Sequence, residues 1–327
     1  MLTELPRSPR GVLLALRNAA SFYKDGKVVN VAGPGSLSGL KQPLRKGRQF
    51  FNADTTLDLM ATAKPYHIYP VCDEGFALVA YPNRDSTGYK ERYNIPEAQT
   101  IIRGTLRYAG FPEFVKVLVD IGFLKDEEQS YWKEPIAWKE ATQKLLGTSS
   151  SEEADLISAV SAKATFKDNE QRDHILAGLR WVGIFSSENI IPRGNPLDTI
   201  CATLEKKMQF AEGERDLVIL QHKFEVELKD GTKQTRLSTL CEYGSTDPNG
   251  YSAMAKLVGI PCAVAVKQVL DGTLAEKGIL APMSSKINDP LIEELKVNTT
   301  TTDCFRCANS WCVQKYGIAC KEEIVSK

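Results

Sequence analysis

The chain has 327 residues, with 41 basic and 41 acidic side chains, and its length allows two or more packed units. That charge balance argues against a nucleic-acid or anionic-membrane surface, both of which draw on a basic excess. No apolar run approaches the roughly 18 residues needed to cross a bilayer, and eight cysteines in a chain of this length give no disulfide framework, so a reducing, cytoplasmic setting is expected.

Ser8 and Pro9 suit the start of a helix and Gly26 its stop, with Val12, Leu13, Leu16, Ala20 and Tyr23 at helical spacing between them. The arginines around this stretch, Arg7, Arg10 and Arg17, fit an amphipathic helix better than a transit peptide, because Glu4 and Asp25 interrupt the basic pattern. "KVVNVAG" reads as a strand, and residues 35–56 as an irregular basic loop. "GFALVAYPNRD" (75–85) and "IIRGTLRYAG" (101–110) are the next strands. From about 111 to 208 the apolar spacing turns to three and four, which predicts a run of helices. Val218, Leu220, His222, Phe224, Val226 and Leu228 then alternate, and Asp230-Gly231 predicts a hairpin turn. "GYSAMAKLVGIPCAVAVKQVL" follows as a helix rich in small residues.

The fold class is therefore α/β with an inserted all-helical subdomain, and a mixed-sheet substrate domain is what the family resemblance given below implies for the α/β part. Residues 1–110 form its first part, 111–208 the helical subdomain, 209–245 the returning strands and 246–327 a C-terminal helical or α/β segment. Lone cysteines at 201, 241 and 262 sit in apolar surroundings, where cysteine acts as a small hydrophobe.

Gly33, Gly35 and Gly39 follow a strand but do not make a dinucleotide cradle. Pro34 interrupts the turn, and the residues up to Pro43 are a poor helix to aim at a phosphate. His67, His174 and His222 have no carboxylate or cysteine at triad or ligand spacing. The sequence contains no G-x-S-x-G, H-E-x-x-H or Walker loop. Cys304, Cys307, Cys312 and Cys320 stand close enough to supply four zinc ligands, so a C-terminal zinc-binding module is one reading.

The arginines carry more. In an extended "RGTLR", Arg103, Thr105 and Arg107 share one face, with the two arginines about 13 Å apart at ~3.3 Å per residue. Gly104 thins the other face. Arg84, just after the preceding strand, adds a third guanidinium. Guanidinium pairs bidentately with carboxylate, which suits a long ligand carrying several negative charges; a solvated, ion-paired sheet face is the plain alternative.

These stretches, with "SPRGVLLALRNAASFY", "ATAKPYHIYP", "PRGNPLDTICATLEKKMQFAEGERDLVILQHKFEVE" and "GYSAMAKLVGIPCAVAVK", resemble fungal saccharopine reductase, the NADP-dependent, L-glutamate-forming saccharopine dehydrogenase family. The resemblance implies an oxidoreductase of lysine biosynthesis by the α-aminoadipate route. Members condense aminoadipate semialdehyde with glutamate and reduce the imine with NADPH to give saccharopine, which carries three carboxylates. It implies substrate contacts at Arg84, Gly104, Thr105, Leu106 and Arg107, to which the face argument adds Arg103. A possible homodimer and a cytoplasmic location come with it, and neither nucleic acid nor membrane is expected as a partner.

The departures from the family pattern matter as well. The family's N-terminal Rossmann half, which holds the cofactor glycines, is absent before "SPRGVLLAL", and Pro6-Arg7-Ser8 replaces a Ser-Trp-Ser that contacts the nucleotide. No cofactor-binding, catalytic or metal residue is therefore assigned, and the chain is expected to be weak or inactive alone. Residues 35–57, 71–74 and 297–314 split the family pattern and read as insertions or translated non-coding sequence, which the spliced transcript would test. The last of these takes in Cys304, Cys307 and Cys312 but not Cys320, so the four cysteines differ in origin. The competing function is a non-catalytic remnant that binds polycarboxylates or acts as an interaction protein.

Overall fold

The computed structural model describes residues 9–31, 50–51, 78–247, 249–295, 318 and 320–326. The chain divides into two compact units, Met1–Ile68 with Phe76–Gln209, and Tyr69–Gly75 with Phe210–Lys327. Residues 71–74 and 297–314 lie outside the described residues, as do 35–57 apart from the backbone at 50–51. His67, Gly33, Gly35, Gly39 and the cysteines at 304, 307 and 312 lie outside them too. Cys320 is described, and is exposed and free.

In the first unit, α1 (Pro9–Arg17) buries Val12, Leu13 and Leu16 and closes on a basic residue, which suits its negative C-terminal end. It stops earlier than its apolar spacing predicts. Ala20 and Tyr23 belong instead to β1 (Ala20–Lys24), which pairs antiparallel with β2 (Lys27–Val31). The reason is local. Asp25 and Gly26 both take positive φ, 49° and 75°, the backbone of a two-residue hairpin turn whose twist matches the strands it joins. Gly26 thus ends a hairpin rather than a helix. The parallel partner of β2 is β3 (Phe50–Phe51).

The strands expected at 75–85 and 101–110 are β4 (Leu78–Pro82) and β5 (Gly104–Tyr108), an antiparallel pair. Between them lies the short α2 (Tyr89–Arg92).

The helical stretch follows as α3 (Phe111–Asp120), a 3-10 turn (Ser130–Trp132), α4 (Trp138–Leu146), α5 (Glu153–Lys163), α6 (Asn169–Val182) and α7 (Pro196–Lys207). Their ends follow the chemistry of caps. Asp168 accepts from the Gln171 backbone at the start of α6, Asn195 does so from Asp198 at the start of α7, and Gly183 closes α6 in the left-handed region. The apolar stripes meet in one core built from Phe114, Leu118, Trp138, Leu156, Leu179 and Ile200, around the fully buried Phe123 and Trp132. Leu13 and Leu16 of α1 join the same core. Cys201 of α7 is buried there, and burial, followed by Asp198 and Glu205, pushes its thiol up to about 12. It is a small apolar residue, as expected, and no nucleophile at neutral pH.

In the second unit, β6 (Leu217–Glu227) and β7 (Lys233–Tyr243) form the predicted hairpin, and β8 (Lys321–Ser326) extends it antiparallel to β7. Gly231 sits at φ 82°, and the Leu228 and Thr232 backbones close the loop. The alternation in β6 makes a strand but not a buried face, since Leu220 and Phe224 remain exposed. Cys241 of β7 is disulfide-bonded, which corrects its reading as a lone apolar residue.

α8 (Ala253–Leu270) is capped by Ser252 and packs on β6 and on α9 (Ser285–Leu295). At 18 residues and mean hydropathy 1.5 it reaches the length and composition of a bilayer-crossing helix, correcting the statement that no stretch approaches them. Its polar side chains are nevertheless engaged within the unit. Lys256 pairs with Glu242 at 2.6 Å, Lys267 with Glu294 at 3.1 Å, and buried Gln268 donates to the Pro290 carbonyl.

Candidate functional site

The site is built at the end of the β4–β5 pair. The register sets Pro82 opposite Gly104 and Tyr81 opposite Thr105, so the Asn83-Arg84-Asp85 segment leaves β4 where Arg103 and Gly104 enter β5. The backbone then locks the two together, the Asn83 N–H donating to the Arg103 carbonyl at 3.0 Å. Ser21 of β1 holds the other side, donating to the Arg84 carbonyl and accepting from the Ser86 N–H. The segment is thereby fixed between β1 and β5, and four of the residues read as contacts, Arg84, Gly104, Thr105 and Arg103, gather at one end.

Arg84 is exposed and sits in the left-handed region at φ 59°. A non-glycine residue held there costs about 1–2 kcal/mol, so the surrounding bonds must hold it. Next to it, Asp85 Oδ1 accepts from the Thr87 hydroxyl at 2.7 Å and the Thr87 N–H at 2.8 Å. Those two bonds, the hydroxyl first, keep the Asp85 carboxyl below its ordinary range and pin the turn.

Arg103 is held rather than free. Its Nη1 donates to the Tyr89 hydroxyl at 2.9 Å, its Nη2 reaches the Asn83 carbonyl at 3.4 Å, and its guanidinium lies 5.5 Å from the centre of the Tyr89 ring. Arg107 lies two pairs further along β5, opposite Val79, and donates from Nη1 to the Leu106 carbonyl at 2.7 Å. In both arginines Nε is buried without a partner. Asn83 Nδ2 donates to Thr105 Oγ1 at 2.9 Å, while its Oδ1 is buried and unpaired. Glu113, in the first turn of α3, has a buried unpaired oxygen of its own. Buried orphans of this kind cost about 1–3 kcal/mol each, and others lie away from β5, at Gln129, Trp132, Ser186, Thr199, Gln268 and Glu276.

Sequence reasoning passed over Asn83, Ser86 and Tyr89. Asn83 had a signal in its place beside Arg84 in "YPNRDS"; Tyr89 had none, because only the fold returns its ring to Arg103. Leu106 carries no polar side chain and contributes the carbonyl that Arg107 holds. The described residues show no group of three or more histidine, cysteine, aspartate or glutamate side chains able to hold a metal.

Residues 6–300 match the family model described as the saccharopine dehydrogenase C-terminal domain. The chain is 61% identical over 320 residues to the saccharopine dehydrogenase [NADP(+), L-glutamate-forming] of Pyricularia oryzae, covering 98% of this chain and 61% of that protein. It is 33% identical over 292 residues to the mitochondrial alpha-aminoadipic semialdehyde synthase of Bos taurus, covering 88% of this chain and 28% of that protein. The solved apo structure of histidine-tagged saccharopine dehydrogenase (L-Glu forming) from Saccharomyces cerevisiae superposes with a TM-score of 0.78 at 50% identity, over 99% of this chain and 62% of that one. The chain thus spans about three fifths of the length of the fungal relatives it matches. A match reaching from the residues before α1 through the helical core and the second unit has one meaning: the chain belongs to the saccharopine dehydrogenase C-terminal domain family.

Proposed function

We propose that this chain supplies the substrate-holding part of a saccharopine dehydrogenase-type oxidoreductase of lysine biosynthesis, which forms saccharopine from aminoadipate semialdehyde, glutamate and NADPH. The observation that carries the reading is the gathering of Arg84, Arg103, Thr105 and Arg107 on the β4–β5 pair, with two guanidinium Nε atoms buried and unpaired. Guanidinium donors waiting without acceptors suit carboxylates, and saccharopine brings three. In this role Arg84, Arg103 and Arg107 bind and orient the carboxylates, with Arg103 held in place by Tyr89 and Asn83.

NADP(H) enters through the family. The cofactor is assigned to no residue here, and no step is routed through it. When bound, it would supply the hydride. The proposal keeps a homodimer and a cytoplasmic setting; the free thiols of Cys201, Cys262 and Cys320 fit a reducing compartment, whereas the disulfide at Cys241 does not. It also keeps the low activity expected of the chain alone.

Calorimetry with saccharopine and no nucleotide tests the site. We expect binding that weakens ~10- to 100-fold in Arg107→Ala and in Arg84→Ala, the range of a lost charge-assisted hydrogen bond. Binding by the unaltered chain that neither substitution changes would place the ligand elsewhere. In a parallel assay, saccharopine-dependent NADPH formation by the purified chain at the rate of an intact relative would refute the low-activity reading. Saccharopine binding without turnover is the outcome expected of the substrate-holding part alone.

A further inference from the structure

α8 is apolar on two sides, and the second unit uses one of them. Ala253, Val264 and Gln268 are buried on the side that packs against β6 and α9. Met254, Val258, Cys262, Val266, Val269 and Leu270 are exposed. At ~100° per residue these six fall within one half of the helix circumference. A helix that is apolar all round belongs inside a larger structure, whereas the outer face of a surface helix carries charges. Here Lys267 is the one charged residue among the exposed positions of α8, and it pairs with Glu294. With Val258 60% and Leu270 83% exposed, the face offers on the order of 700 Å² of apolar surface, above the ~300–600 Å² of the largest patch on a typical monomer. It falls within the about 600–1,500 Å² of an interface between domains.

Two observations say what covers it. The match takes in 61% of the Pyricularia oryzae relative, which leaves about two fifths of that protein ahead of a domain described as C-terminal. The other is the composition of the face. Ala255, Gly259, Cys262 and Ala263 run along it, and such small side chains let a partner element approach to the ~8–10 Å of closely packed helices. A bilayer gains nothing from that. We propose that the outer face of α8 is the docking surface for the portion of the relatives that precedes the C-terminal domain, an apolar face of a folded domain closing over Val258, Cys262 and Val266. The inference rests on the substrate-holding role given to this chain and adds where the chain meets the rest of the enzyme.

Cys262, an exposed free thiol on this face, reads the outcome directly. The full chain is compared with the same chain preceded, on one polypeptide, by the unmatched N-terminal portion of the Pyricularia oryzae relative. Iodoacetamide labelling of Cys262 is followed by mass spectrometry and scaled to the rate in urea-unfolded protein. Labelling is expected to be fast in the chain alone and ~100-fold slower in the fused protein, where the thiol reacts only when the interface opens. The N-terminal portion added as a separate polypeptide should protect as well, which covers a fused protein that does not fold. Val258→Lys should leave the thermal midpoint of the chain alone within about 3 °C, as for other surface changes. In the fused protein it should speed Cys262 labelling by ~10-fold or more, because a charge then faces an apolar partner. Protection in neither arrangement would overturn the inference, and saccharopine turnover by that same fused protein would leave the substrate-holding role intact. Protection without saccharopine binding would keep the docking surface and remove the substrate role. Slow labelling in the chain alone would also overturn the inference. If it depends on concentration, a second copy covers the face; if not, the chain covers it itself. Protection by phosphatidylcholine vesicles and not by the added portion would make it a membrane face instead.

Discussion

Replacing Trp132 by alanine is expected to cost about 3–5 kcal/mol of stability in the first unit, the range for deleting a buried large aromatic. Trp132 is completely buried and stands at the centre of a ring cluster, 6.3 Å from Phe123 and 6.2 Å from Trp138 between centroids. Both contacts are edge-on, the geometry in which aromatic quadrupoles attract. Its backbone carbonyl also accepts the N–H groups of Arg193 and Gly194 at the turn leading into α7, bonds that an alanine at this position can still make. Denaturant unfolding followed by circular dichroism measures the loss. Trp132→Phe keeps a ring in the cluster and should cost clearly less than the alanine change. Equal losses for the two, or an alanine cost below about 1 kcal/mol, would mean that the helical core does not depend on this ring.

The second large effect is expected at Gly244, just after β7. A Cβ there would run into Asp216 Oδ1 and lie 3.1 Å from the Ala253 nitrogen. Asp216 is the second cap of α8, its two oxygens accepting from the Ala253 and Met254 N–H groups at 2.7 and 2.9 Å. Gly244→Ala must therefore either displace the cap or push the helix start away from the strand. We expect about 2–4 kcal/mol, combining overpacking with the loss of a helix cap. Asp216→Ala alone should cost about 1–2 kcal/mol. The signature lies in the double variant, which should be little worse than Asp216→Ala because the clashing group is gone. Full additivity, measured by thermal unfolding of all three variants, would show that the glycine is needed for another reason.

The sequence by itself determined every element whose signal is local. The five long helices between 111 and 208 were legible because each carries its own apolar stripe, and the turn after β6 because Asp230-Gly231 favours the left-handed backbone. The shared face of Arg103, Thr105 and Arg107 followed from the two-residue period of a strand. The same reasoning misplaced the end of α1, where Ala20 and Tyr23 fit a helical stripe as well as they fit a strand. Asp25-Gly26 decided the matter once β2 was available as a partner.

What only the tertiary structure decided is which neighbours meet. The register of β4 on β5 carries Asn83 and Arg84 to the entrance of Gly104-Thr105, some twenty residues along the chain. The return of α2 puts Tyr89 against Arg103. Exposed Leu220 and Phe224 likewise show that an alternating pattern gives a strand without saying what covers it. Period and turn chemistry act over a few residues, whereas an unpaired amide oxygen or guanidinium nitrogen becomes visible only when every surrounding donor and acceptor has found its place.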